Sequence, residues 1–280
     1  MTDSAPARIP LAAVIGHPIA HSRSPRLHGY WLRKHGLPGH YIPLDIAPEA
    51  LDRIVRTLPE MGFVGANVTI PHKEAICEIA DTVTERAKLV GAANTLVFHE
   101  DGTIEADNTD GYGFIANLQH CVPDWRGDTG AAVVLGAGGA ARAVLAALLD
   151  AGVPEVRLTN RTRDRAERLA DLFGSRVRVV DWDQAGNALG EARLVVNTTS
   201  LGMVGHPELS VPLNGIGPGT VVNDLVYAPL ETRLLRVAAD RGATVVDGLG
   251  MLLHQAVPGF ERWFGVRPEV DDETRDAVLR

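Results

Sequence analysis

Lys73 and Asp110 are the two charged side chains whose surroundings point most directly to chemistry. Lys73 ends the polar segment NVTIPHK at 67–73, and Asp110 lies in the segment ADNTDG at 106–111. Pro71 suits the first position of a helix, which would put Lys73 in the first helical turn. A cation is unfavourable at that end of the helix dipole, so we favour a functional lysine over an ordinary surface lysine. Paired with Asp110, Lys73 would handle the proton that accompanies hydride transfer to a carbonyl.

Four hydroxyl and amide side chains in the first half of the chain would hold a polar substrate. Ser22 and Ser24 leave a strand and enter a helix that begins with proline. Ser24 suits the helix N-cap, whereas Ser22 has no such structural duty, and two hydroxyls near free helix N–H groups would bind a carboxylate. Asn67 and Thr69 alternate along a strand, so both side chains would face the same side.

Two further segments, GAANT at 91–95 and ADNTDG at 106–111, place short polar side chains where an element begins or ends. Each also has a purely structural interpretation. Asp107 would make a turn, and Asp110 would cap a helix that begins near Gly111.

Metal and hydrolase chemistry are set aside. His17 and His21 are four residues apart, but they lie on a proline-containing loop where no carboxylate or cysteine completes a ligand set. No serine, histidine and acid stand in the arrangement of a nucleophile elbow. We therefore predict that the site holds no metal.

The second half of the chain contains a glycine motif, Gly136-Ala-Gly138-Gly139-Ala140-Ala141, between an apolar run and an alanine-rich stretch. A strand, a glycine turn and a helix in this order form a dinucleotide-binding fingerprint, here with alanine at the third position. The first glycine permits the tight turn, and the second lets a pyrophosphate approach the backbone at the helix N-terminus. A plain turn between strand and helix is the alternative.

The cofactor is predicted to be NADP, because the acid that would bind the ribose of NAD is absent at the end of the next strand. The chain reads Asn160-Arg161-Thr162-Arg163-Asp164-Arg165 there. Arg161 and Arg165 would clamp a 2′-phosphate, since a guanidinium offers paired donors to phosphate oxygens. The alternative is a solvated helix face, in which neighbouring carboxylates balance the arginines.

Short apolar runs predict the strands that would position these residues. They span 11–15, 40–46, 65–68, 95–98, 103–106, 131–135, 155–159, 176–180, 193–197, 220–225 and 244–246. Helices are predicted at 25–35, 48–58, 71–79, 110–120, 142–151, 163–173 and 250–264. Alternating strands and helices in the second half favour a doubly wound parallel sheet, and a Pro-, Trp- and Gly-containing stretch at 122–130 separates the halves.

Composition excludes several classes of protein. The formal net charge is −8 over 280 residues, which argues against nucleic acid or an anionic membrane as a partner. Two cysteines, Cys77 and Cys121, without regular spacing predict reduced, buried thiols rather than a disulfide framework. Residues 1–10 lack the features of a signal peptide, and no apolar run is long enough to span a membrane. We expect a cytoplasmic enzyme.

The chain as a whole resembles the shikimate dehydrogenase family. The resemblance runs from Gly16 to about Phe264 and rests on the motifs GHPIAHSRSP, NVTIPHK, GAANT, ADNTDG, GAGGAARA, NRT, NTTSLGM, DLVYAP and DGLGMLLHQA at family-like spacing. It implies NADPH-dependent reduction of 3-dehydroshikimate to shikimate, within the chorismate pathway of aromatic amino-acid biosynthesis. It also implies an α/β fold with a substrate-binding catalytic domain at 1–112, completed by 250–280, and a doubly wound Rossmann NADP-binding domain at 113–249, separated by a cleft.

The resemblance also assigns roles to matching residues. Lys73 and Asp110 are similar to the family's catalytic pair. Substrate would be held by Ser22, Ser24, Asn67, Thr69, Asn94, Tyr227 and Gln255, the serines with Tyr227 on the carboxylate and the others on ring hydroxyls. The nucleotide would be held by Gly136, Gly138, Gly139, Ala140, Asn160, Arg161, Thr162 and Arg165, with Thr198, Met203, Gly248 and Met251 around the nicotinamide. The last helix would return to the first domain and bring Gln255 with it.

Two alternatives stay open. A quinate/shikimate dehydrogenase that uses NAD or NADP would share this arrangement, although the arginine cluster and the serine pair argue against it. A ligand-sensing relative without catalysis would not need both Lys73 and Asp110. A monomer and a homodimer are both compatible with the sequence.

Overall fold

The computed structural model describes residues 9–280. The prediction about a signal peptide falls on residues 1–10, most of which lie outside the described residues. No helix within 9–280 is long and apolar enough to cross a membrane.

From residue 9 to 109 the chain forms six strands and four α-helices. The strands are β1 Leu11–Gly16, β2 His40–Asp45, β3 Phe63–Val68, β4 Thr82–Val83, β5 Thr95–Phe98 and β6 Ile104–Asp107. The helices are α1 Ser24–Lys34, α2 Leu51–Thr57, α3 Ile76–Ile79 and α4 Glu85–Val90.

From residue 110 onward six parallel strands alternate with helices. The strands are β7 Ala132–Leu135, β8 Val156–Thr159, β9 Val177–Val180, β10 Leu194–Asn197, β11 Val221–Asp224 and β12 Thr244–Val246. The helices are α5 Asp110–Cys121, α6 Gly139–Asp150, α7 Arg163–Phe173, α8 Ala185–Leu189, α9 Arg233–Asp240, α10 Gly248–His254, α11 Val257–Phe264 and α12 Asp272–Leu279.

The chain forms two compact units. One contains the described residues up to Thr109 together with Gln255–Arg280, and the other is Asp110–His254. The stretch 122–130 lies inside the second unit, between α5 and β7. The assignment of substrate binding to 1–112 with 250–280, and of cofactor binding to 113–249, remains a prediction.

The sheet of the first unit is mixed, in the order β2-β1-β3-β5-β6-β4. β1 pairs in parallel with β2 and β3, whereas β5 runs antiparallel to both β3 and β6. Ile15, Ala66, Leu96 and Ala106 are fully buried in its core. Because β5 reverses direction, its beginning lies beside the carboxyl end of β3.

The sheet of the second unit has the order β12-β11-β10-β7-β8-β9, with every pair parallel. In chain order this is 6-5-4-1-2-3, the doubly wound arrangement that binds dinucleotides where the strand order reverses. Side chains of β7 alternate between two cores, Val134 in one and Val133 in the other, so both faces of the sheet are covered. The predicted fold class is confirmed.

Two predicted helices differ from the structure. The chain turns from Pro71 to Ala75, and only Ile76–Ile79 is helical, so Lys73 does not lie in the first turn of a helix. The single helix predicted at 250–264 is two helices, α10 and α11, which belong to different units.

Candidate functional site

Strand pairing brings three of the predicted polar segments to one edge of the first sheet. Asn67 near the end of β3 pairs with Thr95 at the beginning of β5, and Thr95 pairs with Asp107 at the end of β6. All three side chains are buried. Segments 67–73, 91–95 and 106–109 therefore meet, although up to about forty residues separate them along the chain.

Asn67 is held by a residue that the sequence did not single out. The Tyr41 hydroxyl donates to Asn67 Oδ1 at 2.7 Å, and Asn67 Nδ2 donates to the Asn94 carbonyl at 3.1 Å. Burial raises the pKa of Tyr41 well above its usual value. Tyr41 therefore stays a neutral donor and fixes the orientation of the amide.

Asn94 is the centre of a second set of hydrogen bonds. Its Oδ1 accepts from the Thr109 N–H at 2.9 Å and from the Thr109 and Thr95 hydroxyls at 3.0 Å each. Its Nδ2 donates to Gln255 Oε1 at 3.0 Å. Gln255 is thus placed in the first unit beside Asn94, 161 residues earlier in the chain.

Lys73 lies half-buried in the turn after β3, close to the same edge. Its carbonyl accepts from the Ala93 N–H at 2.8 Å, which ties the segment of Lys73 to that of Asn94. Thr69 follows β3 by one residue, and its N–H donates to the Ile15 carbonyl at 2.9 Å. The lysine is positioned by this backbone link rather than by a helix N-terminus.

The two serines have different local roles from those expected. Arg23, not Ser24, is the N-cap of α1, and Ser24 is the first helical residue. Ser22 Oγ accepts from the Ser24 N–H at 3.3 Å, so the prediction that Ser22 has no structural duty is wrong. The Ser22 hydroxyl satisfies one of the unpaired N–H groups at the start of the helix.

An ion pair between the buried Asp107 and the exposed Arg86 stabilises the segment before Asp110. Asp107 accepts from Arg86 Nε at 2.6 Å and from the Thr84 hydroxyl at 2.7 Å, and Arg86 Nη2 pairs with its other oxygen. Burial raises the pKa of Asp107, but these hydrogen bonds and the charge of Arg86 outweigh it, so the pKa lies below its usual value. The sequence predicted a turn for Asp107 and gave no indication of Arg86 as its partner.

In the second unit the predicted cofactor residues lie at the carboxyl ends of the parallel strands. Gly136 follows β7, and Thr198 follows the neighbouring β10. The Thr198 hydroxyl donates to the Leu135 carbonyl at 2.8 Å. Gly136 has φ +107°, and a Cβ there would approach the Thr198 hydroxyl to 2.7 Å, so only glycine fits.

The glycines after this turn leave space that the protein does not fill. Gly138 is the N-cap of α6 and Gly139 its first residue, and neither has a positive φ. A Cβ at either position would have no atom within 4 Å. Neither backbone conformation nor packing explains these glycines, whereas the close approach of a pyrophosphate does. The residues present therefore fit a dinucleotide.

The arginines after β8 divide into paired and unpaired groups. Arg163 donates to Glu167 at 2.7 Å and pairs with Asp181. Arg161 and Arg165 are exposed, and neither has an ion pair among residues 9–280. Two guanidinium groups without a carboxylate partner are available for a phosphate.

Asn160 joins the arginine segment to the glycine turn. Its Oδ1 accepts from the Ala137 N–H at 3.2 Å, and its Nδ2 donates to the Thr162 carbonyl at 2.8 Å. Thr162 is the N-cap of α7, without a side-chain cap hydrogen bond. The two parts of the predicted nucleotide site are therefore physically connected.

The remaining predicted residues are placed as follows. Ala140 lies in the first turn of α6, Met203 in the loop after β10, and Met251 in α10, where it packs on the core. Gly248 begins α10, and a Cβ there would lie 2.3 Å from the Leu225 carbonyl, so close packing requires glycine. Tyr227 is partly exposed after β11, and Asp110 is the first residue of α5. These two belong to the second unit, and Lys73 belongs to the first.

Histidines and cysteines give no sign of metal or disulfide chemistry. Within residues 9–280 no group of three metal-ligating side chains is present. His17 Nδ1 lies 2.5 Å from Asp45 Oδ1, and this contact lowers the pKa of Asp45. Neither Cys77 nor Cys121 forms a disulfide within this range, but Cys121 is exposed and Cys77 only half-buried, so the prediction of buried thiols is wrong.

Three family models match the chain. They are the shikimate dehydrogenase substrate binding domain at 14–96, shikimate / quinate 5-dehydrogenase at 122–204, and the shikimate 5'-dehydrogenase C-terminal domain at 248–279. A relative from Ruegeria sp. (strain TM1040), shikimate dehydrogenase (NADP(+)), is 66% identical over 97% of this chain and 99% of its own length.

Two solved structures are similar over nearly the whole chain. Shikimate 5-dehydrogenase from Thermus thermophilus, in complex with NADP(H) and shikimate, is 38% identical with a TM-score of 0.86, over 96% of this chain and 98% of that one. Quinate dehydrogenase from Corynebacterium glutamicum, in complex with NAD, is 32% identical with a TM-score of 0.89, over the same shares. The motifs, the sheet order and these similarities lead to one conclusion: the chain belongs to the family of NADP(+)-dependent shikimate dehydrogenases.

Proposed function

We propose that this protein catalyses the reversible NADPH-dependent reduction of 3-dehydroshikimate to shikimate. Membership in an oxidoreductase family that acts on a CH–OH group supports the reaction class. The observation that carries the choice of cofactor is the pairing of the arginines. Arg163 is neutralised by two carboxylates, while Arg161 and Arg165 on either side have none among residues 9–280.

The nucleotide would lie along the carboxyl ends of β7 and β8. The open backbone at Gly138 and Gly139, with the positive end of α6, would hold the pyrophosphate. Arg161, Arg165 and the Thr162 hydroxyl would hold the 2′-phosphate. Thr198, Met203, Gly248 and Met251 would border the nicotinamide, and Ala140 would lie beside the pyrophosphate. NADPH supplies the hydride when bound.

The substrate would be held mainly by the first unit. Ser22 and Ser24, with Tyr227, would bind the carboxylate. Asn67 Oδ1 already accepts from Tyr41, and the two N–H groups of its Nδ2 donate to the Asn94 carbonyl and to the Thr95 hydroxyl, so what it offers a substrate is the second lone pair of its amide oxygen. We therefore expect Asn67 to accept from a ring hydroxyl, alongside Thr69, Asn94 and Gln255.

Lys73 and Asp110 would complete the reaction at the ketone. Lys73 would donate a proton to the ketone oxygen, or stabilise the negative charge that develops there during reduction. Asp110 would orient Lys73 and accept from a ring hydroxyl. In the reverse direction the same groups would remove the hydroxyl proton.

The decisive experiment follows the absorbance of the reduced nicotinamide after the purified protein is mixed with NADP⁺ or NAD⁺ and with shikimate or quinate. The proposal expects rapid reduction of NADP⁺ by shikimate and much slower reaction with the other three pairs. Preference for NAD⁺ or quinate would instead identify a quinate/shikimate dehydrogenase. Tight NADPH binding without turnover of any pair would point to a ligand sensor or to a different acid as the substrate.

The setting of the protein is also a proposal. We propose a cytoplasmic enzyme whose partners are its two small molecules, and either a monomer or a homodimer. Two thiols outside any disulfide, one of them exposed, suit a reducing compartment. Sedimentation velocity at micromolar concentration, with and without NADP⁺, distinguishes the monomer from the dimer.

A further inference from the structure

Asp224 is a fully buried carboxyl group that the proposed mechanism does not use. It is the last residue of β11 and has no exposed surface. No Lys, Arg or His forms an ion pair with it within residues 9–280. A buried carboxylate without a cation is costly unless several donors satisfy it.

Three donors from three different segments reach this carboxylate. Its Oδ1 accepts from Asn197 Nδ2 at 2.9 Å and from the Val226 N–H at 3.0 Å, and its Oδ2 accepts from the Thr232 hydroxyl at 2.7 Å. Burial raises the pKa of Asp224, and these hydrogen bonds oppose the rise. Because every partner donates, a pure acceptor is the group that satisfies them all.

The donors belong to the loops that carry proposed site residues. Asn197 ends β10 directly before Thr198, and its Oδ1 accepts from the Thr199 N–H at 3.1 Å and hydroxyl at 2.7 Å. Val226 directly precedes Tyr227. Asp224 thus joins the start of the 198–204 loop to the start of the 225–229 loop.

Two further contacts show that these loops form one assembly. The Val204 N–H donates to the Ala228 carbonyl at 2.9 Å, which closes the far ends of the loops. Thr232, the third partner of Asp224, is the N-cap of α9 and accepts from the Leu235 N–H at 3.3 Å. The carboxylate therefore fixes both loops to a helix that packs in the core of the unit.

We infer that Asp224 is a positioning residue for hydride transfer, because it joins the loop of the nicotinamide contacts to the segment of Tyr227. The inference rests on the proposed function, which assigns Thr198, Met203 and Tyr227 to the site. Asp224 acts through Asn197 and Val226 and does not itself touch substrate or cofactor. Its loss misplaces the nicotinamide relative to the ketone and leaves the adenosine half of the nucleotide, bound after β8, unaffected.

The test compares Asp224→Ala and Asp224→Asn with the wild type and with a matched control, Asn223→Ala. Asn223 precedes Asp224 on the same strand and is equally buried, but its Nδ2 bonds the Val246 carbonyl and neither loop. For Asp224→Ala we expect kcat to fall about 10- to 100-fold. The dissociation constant of NADP⁺ should stay within about threefold, since most nucleotide contacts are retained.

The deciding readout is the primary isotope effect on kcat with NADPH deuterated at the transferred position. It should rise in Asp224→Ala, because poorer alignment makes hydride transfer more rate-limiting, and it should stay at the wild-type value in Asn223→Ala. Asp224→Asn keeps an oxygen for Asn197 and Val226 and should lie between the two. If Asp224→Ala does not fold, the shift in Asp224→Asn decides.

Outcomes for the inference and for the proposed function are separable. Wild-type protein that does not oxidise shikimate with NADP⁺ contradicts the proposed function. Active wild type, with Asp224 variants that keep its kcat and isotope effect, overturns the positioning role alone. An equal shift in Asn223→Ala overturns it too, because general destabilisation would then explain the effect.

Discussion

At the scale of single residues, ion pairs with carboxylates distinguish three arginines that lie close together in the sequence. Arg161, Arg163 and Arg165 are equally basic, but only Arg163 pairs with carboxylates, those of Glu167 and Asp181. The sequence alone leaves two interpretations open, a phosphate clamp and a solvated helix face. In the structure Arg163 forms part of a solvated helix face, whereas Arg161 and Arg165 remain candidates for the phosphate clamp.

Replacing Arg161 or Arg165 by alanine should reduce the preference for NADP⁺ over NAD⁺. Each lost hydrogen bond to a charged phosphate corresponds to about 1.5–3 kcal/mol, so we expect KM for NADP⁺ to rise about 10- to 100-fold per arginine. The KM for NAD⁺, which has no 2′-phosphate, should change little. Steady-state kinetics with saturating shikimate measure both values.

Arg168→Ala is the matched control, because Arg168 is also exposed and lies one turn further along α7. It should leave both KM values unchanged. A similar loss in Arg168→Ala would mean that general positive potential, rather than a phosphate clamp, attracts NADP⁺.

Lys73→Met should lower kcat about 10²- to 10⁴-fold, the usual contribution of general acid–base catalysis. Methionine keeps the length and the apolar stem but cannot carry a proton. Binding of NADP⁺, measured by quenching of tryptophan fluorescence, should be retained. A kcat close to the wild-type value would count against Lys73 as the proton donor.

Lys88→Met controls for the loss of a positive charge in the same unit. Lys88 lies on α4 and bonds Glu85 at 2.7 Å on the surface. Its replacement should leave kcat near the wild-type value.

Sequence reasoning identified residue types better than it identified their partners. Asn67, Asn94 and Gln255 were recognised, yet Tyr41 was missed, because an aromatic residue in a strand usually indicates packing rather than a hydrogen bond to an amide. Asp224 was missed for a related reason. An aspartate at the end of an apolar run usually indicates a turn, and only the structure shows the three groups that donate to this carboxylate.

At the scale of elements, strands were predicted almost residue by residue. Apolar runs bounded by Gly, Pro and polar residues define buried parallel strands clearly, and of those described only Thr82–Val83 was missed. Helices were predicted less well: α4, α8, α9 and α12 were not predicted, and the ends of others depend on tertiary contacts. Pro71 satisfies the rule for a helix start, but residues 71–75 form a turn that places Lys73 beside Ala93.

The split between α10 and α11 has a signal in the sequence that the prediction did not use. Pro258 lies within the run from Gly250 to Phe264 and stands in the first turn of α11, where proline suits the start of a helix. The structure interrupts it at Gln255, whose side chain bonds Asn94. The interruption therefore has both a local signal, the proline, and a tertiary contact, the hydrogen bond between Gln255 and Asn94.

The glycine turn before α6 allows a prediction about the open space at Gly138, which we propose to be occupied by the cofactor. Gly138→Ala should cost roughly 1 kcal/mol of stability or less, since alanine is a poorer N-cap but meets no atom within 4 Å. It should weaken NADPH binding more than tenfold, because the added methyl group occupies the approach of the pyrophosphate. Isothermal titration with NADPH and thermal melting together measure the two effects.

Gly217→Ala is a suitable control for this change. Gly217 also lacks a positive φ and has open space around its Cβ, but it lies in a loop far along the chain from the fingerprint. Its replacement should leave NADPH binding unchanged. Equal affinities of Gly138→Ala and wild type would show that the open space is not used by the cofactor.

At the scale of the whole molecule, the chain folds into two compact units with separate cores. The first unit has an aromatic cluster formed by α1, β2 and α11. His28 stacks on Tyr41 with ring centroids 3.9 Å apart and lies within 6 Å of Trp31, Phe260 and Trp263. Burial lowers the pKa of His28 to about 3, and neither ring nitrogen has a hydrogen-bond partner among the described residues. Through Tyr41 this cluster supports Asn67, which we propose as a substrate-binding residue.

The neutral state of His28 makes the stability of the first unit depend on pH. The unfolded chain binds a proton at this histidine below pH about 6.5, whereas the folded chain excludes it down to about pH 3. Stability is therefore full above pH 6.5 and falls as pH decreases, by about 1.4 kcal/mol per unit. His28→Phe keeps a ring against Tyr41 but cannot titrate. Between pH 7 and pH 5 the wild type should lose about 2 kcal/mol more than the variant, measured by urea unfolding with tryptophan fluorescence. Equal losses of unfolding free energy in the two proteins would show that His28 accepts a proton in the folded state. Any difference in packing between histidine and phenylalanine is the same at both pH values, so it cancels in this comparison.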